Sequence, residues 1–204
     1  MKDFTELYRR IMPRARGAAR PVVDQAIREA AAEFCKRTRL WRGEDEFIIS
    51  EIGEEVVAVP TEAALYEIES ARFNGDTLTP ISLSRLEETV PRWRELESHA
   101  VQWITQTAPD SVRLVPAAKG TLSLSLTLCP AVSTERLPDF LIDHYADALT
   151  DGALADLFMM PAEYGNPGMA QYHEARFNRA LDRLATANMK GQQRAAVRTT
   201  PQFF

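Results

Sequence analysis

Nine residues, TLSLSLTLC at 121–129, alternate so regularly that they define a strand with one covered face. Leu122, Leu124, Leu126 and Leu128 fall on one side and Ser123, Ser125 and Thr127 on the other, because successive strand side chains point to opposite faces. The leucine face packs on a core, and the hydroxyl face meets water or a partner. This strand is constraining because of its neighbours. The apolar period before residue 43 and after residue 130 is helical, so a sheet-forming region sits inside a helical chain.

Upstream, the stretch ARPVVDQAIREAAAEFCKRTRLWR at 19–42 brings Val23, Ile27, Ala30, Phe34 and Trp41 onto one helical face. Pro21 suits the first helical turn, where its missing N–H would be unpaired anyway. Asp24 to Arg28 and Glu33 to Arg37 are acid-first i,i+4 pairs, each contributing roughly 0.2–0.5 kcal/mol. Ala26, Ala30, Ala31 and Ala32 let another helix approach closely. Ahead of it, Phe4, Leu7, Tyr8 and Ile11 predict a short amphipathic helix over 2–12, ended by Pro13. The link PRARGAAR carries Arg14, Arg16 and Arg20 around Gly17 and reads as a solvated loop, with phosphate contact as the lesser alternative.

From Gly43 short strands are expected at 46–52, 56–60, 65–73, 78–83, 101–107, 111–116 and 121–129. Asn74-Gly75 is a strong hairpin signal, since both residues tolerate the positive φ of a type I′ turn. The residues at 117–120 suggest a second hairpin joining the last two strands. Ser84-Arg85-Leu86-Glu87 has the capping-box form of a short helix running to Pro91. After Pro130, Leu141, Tyr145, Ala148, Gly152, Ala155 and Met159 form a helical stripe. Gly152 within it costs about 1 kcal/mol against alanine and makes sense where a second helix crosses. Asn166-Pro167 opens a last helix with Tyr172, Phe177, Leu181 and Leu184 inward, and Gly191 stops it.

The expected fold class is therefore α+β. A four-helix-bundle-like domain, with helices near 2–12, 21–40, 137–160 and 166–190, carries an inserted antiparallel β-domain at about 44–130. The domain limits are 1–42 with 131–190 for the helices, 43–130 for the insertion, and 191–204 for an extended C-terminal tail.

The formal net charge of −5 is unevenly spread. Residues 1–42 hold eleven Lys or Arg against five Asp or Glu, a balance of +6, whereas residues 43–99 stand at −10 and residues 100–204 at −1. The acidic part of one copy can meet the basic part of another, or the two can neutralise each other within one chain. Chemistry is scarce. His99, His144 and His173 lie in unrelated contexts, and His173-Glu174 is not part of an HExxH run. Asp139, Asp143 and Asp147 make a polar helix face with His144, but two carboxylates at i,i+4 lack the ligand count of a cation site. There is no phosphate-binding glycine loop and no nucleophile elbow. Cys35 and Cys129 read as small buried apolar residues, not a disulfide framework. No apolar run approaches the roughly 20 residues of a membrane span. Nothing here points to an enzyme, a cofactor or a metal.

The segments PRARGAARPVVDQAIREAAAEFCKRTRLWR, LYEIESARFNGDTLTPIS, SVRLVPAAKG and LPDFLIDHYADALTDGALADLFMMP together resemble the head-to-tail adaptor proteins of tailed bacteriophages. The nearest type is the tail tubular protein A and tail accessory factor group. The resemblance implies a virion protein, made in the host bacterial cytoplasm, that forms a ring, commonly of twelve copies, beneath the portal protein. The ring would carry the tail nozzle or fibres and pass genomic DNA without reading its sequence or touching a membrane. Adaptors of this kind anchor to the portal through C-terminal extensions. That marks Arg194, Arg198, Pro201, Phe203 and Phe204 as a docking tail. Arg28, Lys36, Arg37 and Arg39 become the surface expected to meet the acidic flank of the next subunit. Rival readings are another head-closure or tail-completion ring and a small DNA-binding regulator using the Arg-rich N-terminal region.

Overall fold

The computed structural model describes residues 1–57 and 62–190. In chain order the first elements are β1 (Lys2–Asp3), α1 (Thr5–Ile11), α2 (Arg20–Thr38), β2 (Arg42–Ile49), β3 (Val56–Val57) and β4 (Ala63–Phe73). Then come β5 (Asp76–Thr77), β6 (Thr79–Pro80), α3 (Leu83–Thr89), a 3-10 turn (Trp93–Glu95), β7 (Trp103–Thr105) and β8 (Ser111–Val115). The last are β9 (Gly120–Pro130), β10 (Arg136–Leu137), α4 (Asp139–Met159) and α5 (Pro167–Lys190). Two compact units result: Met1–Leu40 with the chain from Pro130 on, and Trp41–Cys129. The expected tail residues Arg194, Arg198, Pro201, Phe203 and Phe204 lie outside the described residues, as does the end of the strand expected at 56–60.

In the helical unit α4 is touched by α1, α2 and α5. Its burial is accordingly wider than one stripe. Leu141, Ile142, Ala146, Leu149, Ala153, Leu154, Leu157 and Phe158 are all covered, the pattern of a helix surrounded by others. Met159, expected inward, is 67% exposed. On α5, Phe177 and Leu181 are inward as expected, but Tyr172 is not. Ala170 and His173 also face in, whereas Tyr172 is 52% exposed. Gly152 explains how α4 sits so close to its neighbours. A Cβ there would lie 2.8 Å from the Ala30 Cβ and 3.1 Å from the Phe177 ring.

The N-terminal helix is shorter than expected. Lys2 and Asp3 pair antiparallel with Leu137 and Arg136, and the Asp3 carboxylate accepts the Thr5 N–H at 2.9 Å. Leu137 is extended because Pro138 follows it, so α4 starts at Asp139. Phe4, Leu7 and Ile11 are buried. The Arg-rich link is not a free loop: Ala15 and Ala18 are buried, Arg14 and Ala15 donate backbone bonds to the Ile11 carbonyl at the end of α1, and Ala18 donates to Ala15.

The second unit holds two four-stranded sheets, ordered β2-β9-β4-β5 and β3-β8-β7-β6. In the first, β2 pairs antiparallel with β9 from Arg42↔Thr127 to Ile49↔Gly120, and the four β9 leucines are buried. Asn74 and Gly75 both have positive φ, 49° and 96°, closing the turn that pairs Phe73 with Asp76.

The expected return strand at 78–83 does not form. Asp76–Thr77 returns along β4, and Thr79–Pro80 crosses to pair parallel with Trp103 and Ile104, so the unit is not wholly antiparallel. Thr79 and Ile81 donate to Gln102 and Ile104, leaving Pro80 where no N–H is needed. Nor do β8 and β9 form a hairpin, since they belong to different sheets. The Ala117 N–H donates to Leu96 and its carbonyl accepts from Ser98, which draws the link out of any tight turn. The cap of α3 is Ser82, whose hydroxyl accepts from the Arg85 N–H at 3.4 Å, two residues before the expected Ser84. Leu86, Trp93 and Val115 form a core cluster with Ile81, Leu83, Val90 and Trp103 around it.

The Gly152 crossing is testable. Gly152→Ala should lower unfolding stability in urea by about 1–3 kcal/mol through overpacking, despite the helix preference of alanine, and Ala30→Gly in the same chain should recover part of the loss. A Gly152→Ala protein as stable as wild type would show that the crossing is not tight.

Candidate functional site

The acidic row of α4 is occupied by cations of its own unit. The Met1 ammonium lies 2.8 Å from Asp139, Lys2 pairs with Asp143, and Arg10 pairs with Asp147. The hydrogen bond from the ammonium holds the Asp139 carboxyl below its usual range, and the bond to Asp143 raises Lys2. These pairs are exposed, with Asp147 at 87%, so water and salt screen them and each contributes little. They align the N-terminal segment on α4, while burial of Phe4, Leu7 and Ile11 supplies more of the energy.

Between α4 and α5 lies a buried polar link that sequence reasoning missed. Asp151 accepts from Arg176 Nε at 2.9 Å and is joined to His173 Nδ1 at 2.8 Å; Asp151 and His173 are 5% and 3% exposed. Arg176 also donates to the Tyr172 hydroxyl at 3.1 Å and lies over its ring. This explains why His173 and not Tyr172 faces in: the imidazole turns inward to Asp151, and the phenol turns outward under the guanidinium. The available signal was Asp151 interrupting an apolar run, with His173 four residues before the inward Phe177.

The four residues expected at a subunit interface are not one free surface. Arg28 is half-buried and donates to the Thr134 carbonyl at 3.4 Å. Arg37 ties α2 to α5 through Asn178 at 2.7 Å and Asp182 at 2.6 Å, with Glu33 at 3.9 Å. Lys36 is exposed. Arg39 is exposed and ends the helix in the left-handed region, φ 52°. The expected Asp24 to Arg28 pair gives way to a hydrogen bond from the Tyr8 hydroxyl to Asp24, and Arg20 lies over the Tyr8 ring, 4.6 Å from its centre.

In the second unit Glu44, Asp45 and Glu46 of β2 are exposed and line an open groove of about 430 Å³ with Ser70, Arg72 and Ser123. Among the described residues no three metal-ligating side chains group together, and no helix is long and apolar enough to cross a membrane. Cys35 and Cys129 are both buried. The geometry is one of packed helices and charged faces.

A sequence profile of the SU10 adaptor protein matches residues 2–202. The chain belongs to the SU10 adaptor protein family. The family is one of phage adaptors, structural parts of the virion, and this agrees with the adaptor resemblance of the sequence at that level. Comparison with curated proteins gives no match.

One group of carboxylates makes a pH-dependent prediction. Asp156 is exposed on the surface of α4, yet partial desolvation first, then the like charges of Glu29 and Glu174, push it up to about 6 from 3.8. The folded chain then holds this proton more tightly than the unfolded chain does. The group's contribution to stability falls as pH rises from about 4 to 6, and its full cost is present above 6. Asp156→Asn should raise the melting temperature at pH 8, and its advantage over wild type should vanish towards pH 4. A difference independent of pH would show that the Asp156 carboxyl is not raised in the folded chain. Asp151→Ala, which leaves the buried His173 imidazole without its partner, should cost about 1–3 kcal/mol in a denaturant titration.

Proposed function

We propose that this chain is the subunit of a ring-shaped head-to-tail adaptor, of the tail tubular protein A and tail accessory factor type, seated between the portal protein and the tail nozzle or fibres. It extends the DNA channel and acts as a structural part, not a catalyst. The observation that carries this reading is the adaptor family match across residues 2–202. In this reading the four packed helices are a bundle-like body and the two sheets an insertion on it. The tail containing Arg194, Arg198, Pro201, Phe203 and Phe204 docks on the portal.

The charge distribution supports a ring. A basic balance of +6 over residues 1–42 and an acidic one of −10 over 43–99 supply two unlike flanks. Contacts between unlike flanks close into a ring when the rotation divides the circle. Twelve copies is the number the adaptor reading carries. The DNA-binding alternative is weakened at the Arg-rich link, because Arg20 rests on Tyr8 and Ala15 and Ala18 are buried.

Cryo-electron microscopy of the assembled particle, with an antibody fragment against this chain, tests the placement. Density directly below the portal is expected, and label confined to the tail tip would refute it. Among Arg28, Lys36, Arg37 and Arg39, Lys36 is the cleanest probe of the basic flank, since it is exposed while Arg37 also holds α5. Lys36→Glu should slow ring assembly a few-fold without shifting the melting temperature; unchanged assembly would remove this residue from the contact.

A further inference from the structure

Between α4 and α5 runs an open groove of about 470 Å³ whose charged lining includes Asp147, Asp151, Arg176, Arg179 and Arg183. Both acids are already engaged, Asp147 by Arg10 and Asp151 by His173 and Arg176. Arg179 and Arg183 are exposed and have no hydrogen-bond or ion-pair partner among the described residues. They stand one helical turn apart, about 5–6 Å between Cβ atoms. Beside them Tyr145, Ala148, Ala180 and Leu184 form an apolar strip. Two unpaired guanidiniums next to an apolar strip are a receptor for something acidic with an apolar anchor.

The chain carries such a ligand on its other unit. β2 is the outermost strand of its sheet, so one edge of its backbone has no ladder partner there. Glu44 and Glu46 face the same side, opposite Ser125 and Ser123, about 6.6–6.8 Å apart as strand neighbours of the same face. Both are exposed and unpaired among the described residues. Arg42, earlier on that face, is tied to Glu69 at 2.9 Å, and Arg72 lines the groove beside them without an ion pair. Ile48, next on the same face, is 78% exposed.

We infer that β2 of one copy seats in the α4–α5 groove of the next, with Glu44 and Glu46 on Arg179 and Arg183 and Ile48 against the apolar strip. The two carboxylates and the two guanidiniums have matching spacing, and charge-assisted pairs of this kind are the stronger hydrogen bonds. Because the two surfaces differ, the contact is head-to-tail and propagates from copy to copy. The inference rests on the ring reading above and assigns its lateral contact.

Charge swapping tests it with the full chain. One variant is Arg179→Glu with Arg183→Glu, and the other is Glu44→Lys with Glu46→Lys. All four side chains are exposed, so both variants should keep the wild-type circular dichroism. If a reversal unfolds the chain, Arg179→Gln with Arg183→Gln is measured instead. Sedimentation velocity at low ionic strength should show wild-type association that weakens with salt. Either variant alone should associate about tenfold or more weakly. An equimolar mixture of the two reversals should regain association, because each acidic groove then meets a basic strand and each basic groove an acidic one. Variants that associate like wild type, or a mixture that regains nothing, would overturn the contact. So would a wild type that stays monomeric to about 1 mM. Retention of a short DNA duplex by wild type, lost in the arginine variant with self-association unchanged, would reassign the groove to nucleic acid. Only the particle image decides the ring reading itself.

Discussion

The helical unit depends on one close approach, that of Gly152 on α4 to Ala30 on α2 and to the Phe177 ring on α5. Three helices meet there, and any side chain on α4 would push them apart. The glycine costs about 1 kcal/mol of helix propensity. In return the contacts along α4 close, and dispersion falls off steeply with a gap of even half an ångström. The buried lengths of α1, α2 and α5 all rest against this helix.

Around that crossing the polar groups are arranged by burial. The exposed acidic row of α4 contributes direction more than energy, because its partners stay in water. The buried Asp151 is different. Once removed from water it requires its partners, and His173 and Arg176 supply them. With His173 turned in to Asp151, Arg179 and Arg183 are outward and Asn178 and Asp182 lie against Arg37. The surface that α5 presents is thus tied to how one buried carboxylate is satisfied.

Several elements were legible without coordinates. The β9 alternation, the positive-φ turn at Asn74-Gly75, the apolar face of α2 and the Asn166-Pro167 start of α5 each depend on local chemistry, and local chemistry is written in adjacent residues. Other expectations failed at points where the deciding partner is distant in sequence. His173, not Tyr172, has the i,i+4 spacing to Phe177 and Leu181, but its polar ring reads as inward only once Asp151, 22 residues away, is known to meet it. The segments at 78–83 and 117–120 depart from expectation because Thr79, Ile81 and Ala117 find backbone partners in other strands and loops. Arg28, Lys36, Arg37 and Arg39 look like one basic face along α2, but Arg37 is held by α5.

By itself the sequence determined the helical and extended periods, the uneven charge, the absence of a recognisable catalytic motif and the adaptor resemblance, because each is a property of residue order and composition. Tertiary structure alone decided that His173 and not Tyr172 completes the inward face of α5, which strands share a sheet, and which arginines are held within the unit. Those choices follow from satisfying buried polar groups and from packing around Gly152, and both require partners that the linear order does not place side by side.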